Sequence, residues 1–403
     1  MASIPFDSIA RQKMQSAREV YRNKFLLFQG ACTIVRLNIP IYCVGVFRMT
    51  MASDKESQLG KSKSFAVASA SISTSTAEDI FLQYYGLKGI AYALAAERDH
   101  NFRIRCDNDR EYLLRIVHPS EDPRLTEMQT QAMLHVAKTA PDLPVQRVLL
   151  SVDGMPEVRR AFGTGDERTI RAVSFLQGVL QRDRRSDASQ RQNVGKALAR
   201  LQLALEDFNH PSSEHELIWD LRRASALRPL VATVDDAELR ISLERQLDHF
   251  DAKISAVLQT QRRQVVHNDL SSDNILVSSS APADVTGILD FGDLVKTSVC
   301  ADVAIGAVYQ LQDGPEAFEG ALDLISGFNS VRQLFKVEQE ILFDLILTRM
   351  AARIIITEWR ASVHPENRRY ILRNTPRARQ QFQTLLHQDK ASATASIIKA
   401  CLS

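Results

Sequence analysis

The sequence is poor in cysteine and lacks the cysteine spacings of cross-linked or zinc-binding proteins. Its 403 residues contain five cysteines, which are scattered and share no paired spacing. They are Cys32, Cys43, Cys106, Cys300 and Cys401. This distribution argues against a disulfide framework or a zinc site and is typical of reduced thiols in an intracellular protein.

Strong net charge and long apolar runs are missing as well. The formal net charge is +2, and the shares of hydrophobic (45%) and charged (24%) residues are those of an ordinary soluble globular protein. A net charge this small creates only a weak long-range electrostatic field, which does not predict binding to nucleic acid. The longest apolar run near the N-terminus, residues 39–47, is far too short to cross a bilayer. We therefore expect a cytoplasmic protein with no nucleic-acid and no membrane partner.

Residues 1–76 are predicted to be an extension and flexible linker. Basic residues recur at helix-like spacing between residues 11 and 24, which leaves a mitochondrial presequence open, although Asp7 and Glu19 count against it. The alternative is an extension that function does not need, since Met49 and Met51 could each begin a chain. The second half of the stretch is rich in Ser, Thr, Ala and Lys, a composition typical of a linker.

The remaining chain is predicted to form two parts of different character. Residues 77–176 are predicted to be strand-rich, with one helix at 125–137 and strands at 101–105, 111–117, 145–151 and 169–175. Residues 177–403 are predicted to be mostly helical, with apolar periodicity at 194–208, 239–257 and 337–359. Three short strands, at 265–266, 275–277 and 285–289, are embedded between these helices.

One polar segment among these short strands carries the chemistry. It reads His267-x-Asp269-x-x-x-x-Asn274, followed by Asp290-Phe-Gly. Phosphoryl transfer from a nucleotide requires an oriented hydroxyl and metal ions that neutralise the phosphate charge. An aspartate that accepts the hydroxyl proton meets the first requirement. Amide and carboxylate oxygens meet the second, because Mg²⁺ prefers oxygen ligands. We therefore predict Asp269 as the catalytic base and Asn274 and Asp290 as magnesium ligands.

The strand context supports this prediction. Strands 275–277 and 285–289 can pair as a hairpin, which would bring Asn274 and Asp290 together. A lone HxD or DFG triplet would be no more than a polar turn, because Asp and Asn are common in turns. The joint pattern, with its internal spacing and the mixed region upstream, is far more specific and favours a kinase-type site.

The segment, together with several others, resembles the aminoglycoside-phosphotransferase and choline-kinase branch of the protein-kinase-like fold, and within it hydroxylysine kinases and their bacterial relatives. The further segments are ERDHNF (97–102), EYLLRIVHPSEDP (111–123), WDL (219–221), GILDFGD (287–293) and HPENRRY (364–370). Their order along the chain strengthens a resemblance that covers residue 77 to the last helices. It implies an α+β, bilobal fold with a small β-rich N-lobe (77–176) and a larger, mostly helical C-lobe (177–403).

The resemblance implies that the N-lobe binds the phosphates of the nucleotide. Residues 97–102 would form the first hairpin over the phosphates, with Arg98 and Asn101 as candidate contacts, unless both are solvated turn residues. Arg115 stands where such enzymes carry a lysine, with Glu127 on the following helix as its expected partner and Gln131 as the fallback. Arginine keeps the charge but differs in bulk and geometry, so the protein could bind nucleotide and yet turn over slowly.

The resemblance also implies a base pocket and a structural frame for the catalytic loop. The connector 173–176 should line the base pocket with backbone hydrogen bonds, at Ser174 and Leu176 among others. His267 is expected to be a structural loop residue rather than a base. Asp302 is expected to hold the loop through hydrogen bonds.

The resemblance implies 5-hydroxy-L-lysine as the acceptor, with GTP or ATP as donor. Asp293 and Asp220 are candidate anchors for an amino-group substrate, since a cationic ligand calls for carboxylates around the cleft. Two alternatives stay open. One is a kinase for another amino alcohol or an aminoglycoside, such as homoserine, choline or an antibiotic. The other is a nucleotide-binding pseudokinase scaffold, which Arg115 favours and the retention of the three catalytic-segment residues disfavours.

Overall fold

The computed structural model describes residues 72–96 and 98–402. The extension with its possible presequence, and Glu97 of the first hairpin segment, lie outside the described residues. The predicted linker ends earlier than residue 76, because helix α1 (Thr74–Tyr85) begins within it. The Ser73 hydroxyl accepts a hydrogen bond from the Thr76 N–H, so serine and threonine act here as a helix cap rather than as linker.

The N-lobe is built on an antiparallel sheet with a helix on either side. In chain order α1 is followed by β1 (Gly89–Leu94), β2 (His100–Cys106), β3 (Glu111–Ile116), α2 (Pro123–Thr139), β4 (Val148–Leu149), β5 (Val158–Ala161) and β6 (Glu167–Ser174). The strands are ordered β1-β2-β3-β6-β4, and β5 also pairs with β6.

Side-chain alternation gives this sheet two different faces. Phe102 and Leu114, a register pair on β2 and β3, are buried with Phe81 of α1 in an apolar core. The next pair, Asn101 and Arg115, points to the other side of the sheet. Polar residues at every second position of these strands therefore face away from α1.

The C-lobe is mostly helical. In chain order it comprises β7 (Val179–Leu180), α3 (Ala188–Ala204), a 3₁₀ segment (Leu221–Thr233), α4 (Ala237–His249), a π turn (Phe250–Ile254), α5 (Ser255–Thr260), β8 (Arg263–Val266), β9 (Ile275–Val277), β10 (Val285–Ile288), β11 (Val295–Ser298), α6 (Val299–Gln310), α7 (Glu319–Asn329), α8 (Lys336–Val363), α9 (Arg368–Ile371), α10 (Thr375–Leu386) and α11 (Lys390–Leu402). None of the helices in the described part of the chain has the length and apolarity needed to span a bilayer.

The short strands form two small sheets that frame the catalytic segment. β10, β9 and β7 form one sheet, and β11 pairs with β8 in the other. The predicted hairpin of β9 and β10 is confirmed, with Ile288 opposite Ile275. The Ile288 N–H also donates to the Pro144 carbonyl at 2.8 Å, which ties the hairpin to the chain segment after α2.

Helix α2 packs into the core of the C-lobe. Its buried residues Met128, Ala132 and Val136 belong to the same continuous core as Leu198 of α3. At its end the Thr139 hydroxyl donates to the Ala204 carbonyl at 3.0 Å. The helix therefore joins the two lobes.

Two sequence predictions of local structure were wrong. The strand predicted at 145–151 is regular only at Val148–Leu149, because Val145 forms an isolated bridge to Ile288 of β10 and the Ser151 N–H bonds to the Met155 carbonyl in a loop. The helix predicted across 239–257 is interrupted by the π turn at Phe250–Ile254, where both Phe250 and Ile254 are buried. Apolar spacing persists through the interruption, which is why periodicity alone did not reveal it.

Candidate active site

The loop between β8 and β9 is anchored by a buried carboxylate. Asp302 of α6 is fully buried, and its Oδ1 accepts the Asn268 N–H at 2.8 Å while its Oδ2 accepts Gln202 Nε2 at 2.9 Å. Asn268 has a φ of 62°, a backbone conformation that residues other than glycine adopt at a cost. The carboxylate thus fixes a strained loop, and the expected structural role of Asp302 is confirmed.

His267 is a structural residue, as expected. It is fully buried, its Nε2 lies 2.8 Å from the Leu289 carbonyl oxygen, and its Nδ1 lies 3.3 Å from the Asp269 N–H. These partners assign Nε2 as donor and Nδ1 as acceptor, which is the neutral tautomer. The ring also packs edge-on against Phe291 at 5.5 Å. With both nitrogens occupied, His267 is not available to accept a proton from a substrate.

Asp269 is held from one side and open on the other. Asn274 Nδ2 donates to Asp269 Oδ2 at 2.8 Å and to its carbonyl oxygen at 2.9 Å. The Tyr309 hydroxyl lies 3.4 Å from Asp269 Oδ1, and Arg349 Nη2 lies 3.7 Å from the same atom. About a quarter of the side chain (26%) stays exposed. Oδ1 has only these two longer contacts, so it keeps more capacity than Oδ2 to accept a further hydrogen bond.

The electrostatic surroundings suit Asp269 to proton transfer. Its pKa is raised to about 6, chiefly because burial disfavours the charged carboxylate. The negative charges of Asp293 and Asp290 act in the same direction, while the positive charge of Arg349 opposes them. A base with a pKa just below neutrality is deprotonated at pH 7 and still binds a proton well.

Asp290 follows the end of β10, beside Asn274. The Leu289 N–H donates to the Asn274 carbonyl at 2.8 Å, so the two predicted metal ligands flank the last pairing of the hairpin. Asp290 has a φ of 56°, and its Oδ1 accepts the Gly292 N–H at 3.0 Å. The residue is exposed. The structure therefore brings Asp269, Asn274 and Asp290 together at one open edge.

The oxygens at this edge fit a magnesium ion. Asn274 Nδ2 is committed to Asp269, which leaves the amide Oδ1 for a cation, and Asp290 Oδ2 has no hydrogen bond among the described residues. Within residues 72–96 and 98–402 no group of three or more His, Cys, Asp or Glu side chains could enclose a metal. An open site with one carboxylate and one amide is typical of Mg²⁺, which keeps waters and binds substrate phosphates.

The prediction that Glu127, or else Gln131, pairs with Arg115 was wrong. Its Nε and Nη2 contact Asp99 Oδ2 at 2.6 and 2.5 Å, whereas Glu127 and Gln131 are exposed on the far side of α2. Asp99 Oδ1 accepts the His118 N–H at 2.9 Å, so the carboxylate is fixed from both sides. Asp99 takes the place of Glu127 on α2 as the partner of Arg115, because the turn before β2 lies directly against β3.

Arg98 and Asn101 lie in the hairpin region as predicted, in different surroundings. The Arg98 guanidinium hydrogen-bonds Ser120 and lies 3.5 Å from Glu121, so it braces the loop after β3. Asn101 lies opposite Arg115 on β2, and its Oδ1 is buried with no hydrogen-bond partner among the described residues. An amide oxygen accepts hydrogen bonds, so a contact of Asn101 with a phosphate oxygen would have to come from its Nδ2.

Arg171, which the sequence analysis did not identify, lies next to Arg115. The two residues are register partners on β6 and β3. Arg171 is 4% exposed, and its Nη1 donates to Thr130 Oγ1 of α2 at 2.6 Å, with Glu157 at 3.7 Å. Burial and the neighbouring Arg115 charge lower its pKa to about 10. Two adjacent guanidiniums, each with a carboxylate neighbour, therefore lie on the face of the sheet away from α1.

The connector between the lobes leaves one residue with free backbone groups. The Ser174 N–H donates to the Arg147 carbonyl at 2.8 Å, and the Phe175 N–H donates to the Glu111 carbonyl at 3.0 Å. Leu176 has no backbone partner among the described residues. Of the two residues predicted here, Leu176 can therefore offer both N–H and C=O to a base, whereas the Ser174 N–H is already used.

Asp220 is a structural residue, which corrects its prediction as a substrate anchor. It is 2% exposed, its Oδ1 accepts the Thr297 hydroxyl at 2.6 Å, and its side chain caps the 3₁₀ segment at Arg222. Aspartate is a preferred cap, so the WDL segment needed no ligand to explain it. Asp293, in contrast, is partly exposed and close enough to raise the pKa of Asp269.

Sequence reasoning missed the residues that approach Asp269 from the helices of the C-lobe. Arg349 of α8 stacks on Trp219 at 4.9 Å and donates to its carbonyl oxygen at 3.1 Å. Arg353 stacks on Tyr309 of α6 at 4.5 Å. The available signal was charge in an otherwise apolar helix: both arginines interrupt the buried stretch 341–356, where an unpaired cation is costly.

A protein-family model matches more than half of the chain. A model of the phosphotransferase enzyme family matches residues 93–332, a range that includes Asp99, Arg115, the catalytic loop and Asp293.

Individual relatives agree with this match. The chain is 27% identical to a hydroxylysine kinase from Mus musculus over 306 residues, which cover 69% of this chain and 80% of that one. It is 30% identical to a homoserine kinase from Hyphomonas neptunium over 223 residues, 51% of this chain and 62% of that one. A solved amicoumacin kinase in complex with AMP-PNP and Ca²⁺ has the same fold, with a TM-score of 0.59 at 13% identity, covering 80% of this chain and 97% of that one.

Proposed function

The chain belongs to the phosphotransferase enzyme family, and we propose that it transfers the γ-phosphate of ATP or GTP to the side-chain hydroxyl of 5-hydroxy-L-lysine. That it is a kinase acting on a hydroxyl of a small molecule follows from the family and from its hydroxylysine kinase relatives. The choice of acceptor is supported by the mouse relative, whose length is matched over 80%. Homoserine is the second candidate, because a homoserine kinase is 30% identical over a shorter stretch.

One observation carries the mechanism: Asn274 Nδ2 fixes Asp269 Oδ2, Oδ1 has only longer contacts, and about a quarter (26%) of the side chain stays exposed. In the proposed reaction the acceptor hydroxyl donates its proton to Asp269 Oδ1 as its oxygen attacks the γ-phosphorus, and the nucleoside diphosphate leaves. Asn274 thereby sets the direction from which the hydroxyl approaches, which is the main contribution that a protein makes to phosphoryl transfer.

The nucleotide is assigned to the cleft between the sheet and the catalytic loop. Asn274 and Asp290 would hold Mg²⁺, which neutralises phosphate charge when it is bound. Arg115 and Asn101 approach the phosphates from the N-lobe, and the free backbone groups of Leu176 face the base. Ser174 shapes the connector rather than contacting the base through its N–H.

The test is product formation with a panel of acceptors. The wild-type protein with Mg²⁺ and either ATP or GTP is incubated with hydroxylysine, homoserine, choline and an aminoglycoside, and phosphorylated product is quantified. We expect hydroxylysine to give the highest kcat/KM. The Asp269→Asn variant should lose at least about a hundredfold in kcat, in line with general-base contributions.

The outcomes separate the alternatives. Preferential phosphorylation of homoserine would replace the acceptor and leave the chemistry intact. Equal kcat for wild type and Asp269→Asn, at unchanged thermal stability, would refute the assignment of the base.

A further inference from the structure

Two arginines on one face of α8 lie beside the acceptor side of Asp269. Arg349 and Arg353 are four residues apart, so their side chains project from the same side of the helix. Arg349 is 3.7 Å from Asp269 Oδ1. Arg353 stacks on the ring of Tyr309, whose hydroxyl is 3.4 Å from the same oxygen. Arg349 thus contacts the proposed base directly, and Arg353 is one side chain away from it.

The two arginines differ in whether their charge is compensated. Arg349 is nearly fully buried and has Asp269 as an anionic neighbour. Arg353 is partly exposed and forms no ion pair with any described residue. Like charges four residues apart on a helix repel each other, and the low dielectric of a cleft makes that repulsion larger. An anion between them would relieve it.

The stacking geometry leaves Arg353 able to bind such an anion. The central carbon of the Arg353 guanidinium lies 4.5 Å from the centre of the Tyr309 ring, and its N–H groups donate to no described residue. The N–H groups lie in the plane of the guanidinium and point away from its face, and they match the two oxygens of a carboxylate. Tyr309 therefore orients Arg353 without consuming its donors.

We infer that Arg353, with Arg349 and Tyr309, binds the carboxylate of the acceptor, and that the enzyme selects hydroxylated amino acids over amino alcohols and aminoglycosides. This inference rests on the proposed function and adds to it the class of acceptor. Asp293, a partly exposed carboxylate whose charge acts on Asp269, suits the ammonium group of the same molecule. A polycationic aminoglycoside has no carboxylate for Arg353 and would be repelled by both arginines.

The inference is tested with matched acceptors that differ only in the carboxylate. Hydroxylysine is compared with 1,5-diaminopentan-2-ol, and homoserine with 3-aminopropan-1-ol, using the full chain with Mg²⁺ and saturating nucleotide. We expect wild type to prefer the carboxylate-bearing member of whichever pair it phosphorylates by about tenfold to a hundredfold in kcat/KM, the range for hydrogen bonds to charged groups.

Variants of Arg353 locate the selectivity. Arg353→Gln should raise the KM for the amino acid by about tenfold or more, with a much smaller change in kcat, and should leave kcat/KM for the decarboxylated partner within about twofold. Arg353→Lys keeps the charge but not the fork and should recover part of the loss. The matched control is Arg160→Gln, which removes an arginine stacked at 5.5 Å on Phe162, on the α1 side of the sheet.

The outcomes distinguish this inference from the proposed function. Equal kcat/KM for both members of a phosphorylated pair overturns the carboxylate site and leaves the kinase assignment standing. Preference for homoserine over 3-aminopropan-1-ol, without turnover of hydroxylysine, keeps the carboxylate site and overturns hydroxylysine as acceptor. A rise in the KM for the nucleotide rather than the acceptor in Arg353→Gln would show that Arg353 binds phosphate, and absence of turnover with all four acceptors would overturn both.

Discussion

At the scale of single residues, the pair of Arg115 and Asp99 explains how arginine stands in for lysine. Both Nε and Nη2 of Arg115 reach one oxygen of Asp99, and the other oxygen is held by a backbone N–H. This geometry requires a planar, forked cation, which lysine cannot supply. The arginine is therefore matched to its surroundings rather than being a damaged lysine.

Arg115→Lys should accordingly lower activity. We expect kcat/KM for the nucleotide to fall by about tenfold, because an ammonium makes fewer directed hydrogen bonds to Asp99 and the phosphates. Steady-state kinetics with varied nucleotide measure the change. Arg105→Lys, an exposed arginine on the neighbouring strand, is the matched control and should behave as wild type. An increase in activity in Arg115→Lys would contradict this account.

The raised pKa of Asp269 predicts an acid limb in the pH profile. Only the carboxylate accepts the hydroxyl proton, so kcat/KM for the acceptor should fall as the pH drops through about 6. Because the charge of Asp293 helps to raise this pKa, Asp293→Asn should move the limb to lower pH. A limb that stays in place in Asp293→Asn would mean that another group titrates. The measurement is kcat/KM between pH 5 and pH 8 at constant ionic strength.

At the scale of elements, a substitution of Asp220 can show whether this residue caps the 3₁₀ segment or binds the substrate. Without its carboxylate, the Thr297 hydroxyl and the Arg222 N–H in the first turn of the 3₁₀ segment lose their acceptor at a site largely shielded from water. Asp220→Ala should lower the free energy of unfolding by about 3 kcal/mol, with the KM for the acceptor unchanged in the folded protein. Asp236→Ala, which removes an exposed cap of α4, should cost only about 1 kcal/mol. Normal stability with a raised KM would restore Asp220 as a substrate anchor.

How far the sequence predicts an element depends on whether its signal is local. The catalytic loop and the hairpin of β9 and β10 were predictable, because Asp269, Asn274 and Asp290 stand at fixed spacings around short apolar strands. Asp99 and Arg171 were not, since their partners lie on strands and helices that only the folded sheet brings together. Asp220 was misassigned because buried caps and cleft carboxylates look alike in a sequence. Arg349 and Arg353 needed the crossing of α8 with α6.

At the scale of the whole molecule, the proposed nucleotide site draws on both lobes. Asn274 and Asp290 belong to the C-lobe, whereas Asn101 and Arg115 belong to the N-lobe sheet. A ligand that contacts both should stabilise the entire folded chain, because binding to the native state alone shifts the unfolding equilibrium.

Magnesium with nucleotide should therefore raise the melting temperature. At a hundredfold excess over Kd the gain is about 2.7 kcal/mol, which corresponds to a rise of roughly 5 °C for a domain of this size. Calorimetry with nucleotide alone, with Mg²⁺ alone and with both measures it. In Asp290→Asn the part that depends on magnesium should vanish, while the exposed Asp313→Asn serves as control. An unchanged magnesium effect in Asp290→Asn would exclude that residue as a ligand.

Helix α2 is attached to its surroundings in three ways. Its apolar face lies in the C-lobe core, the Thr139 hydroxyl at its end donates to the Ala204 carbonyl, and Thr130 on its polar face accepts a hydrogen bond from Arg171. All three attachments are made within the chain and need no nucleotide. A swing of this helix would have to break all three attachments at once. A regulatory switch built on movement of α2 would therefore cost buried apolar contacts as well as two hydrogen bonds.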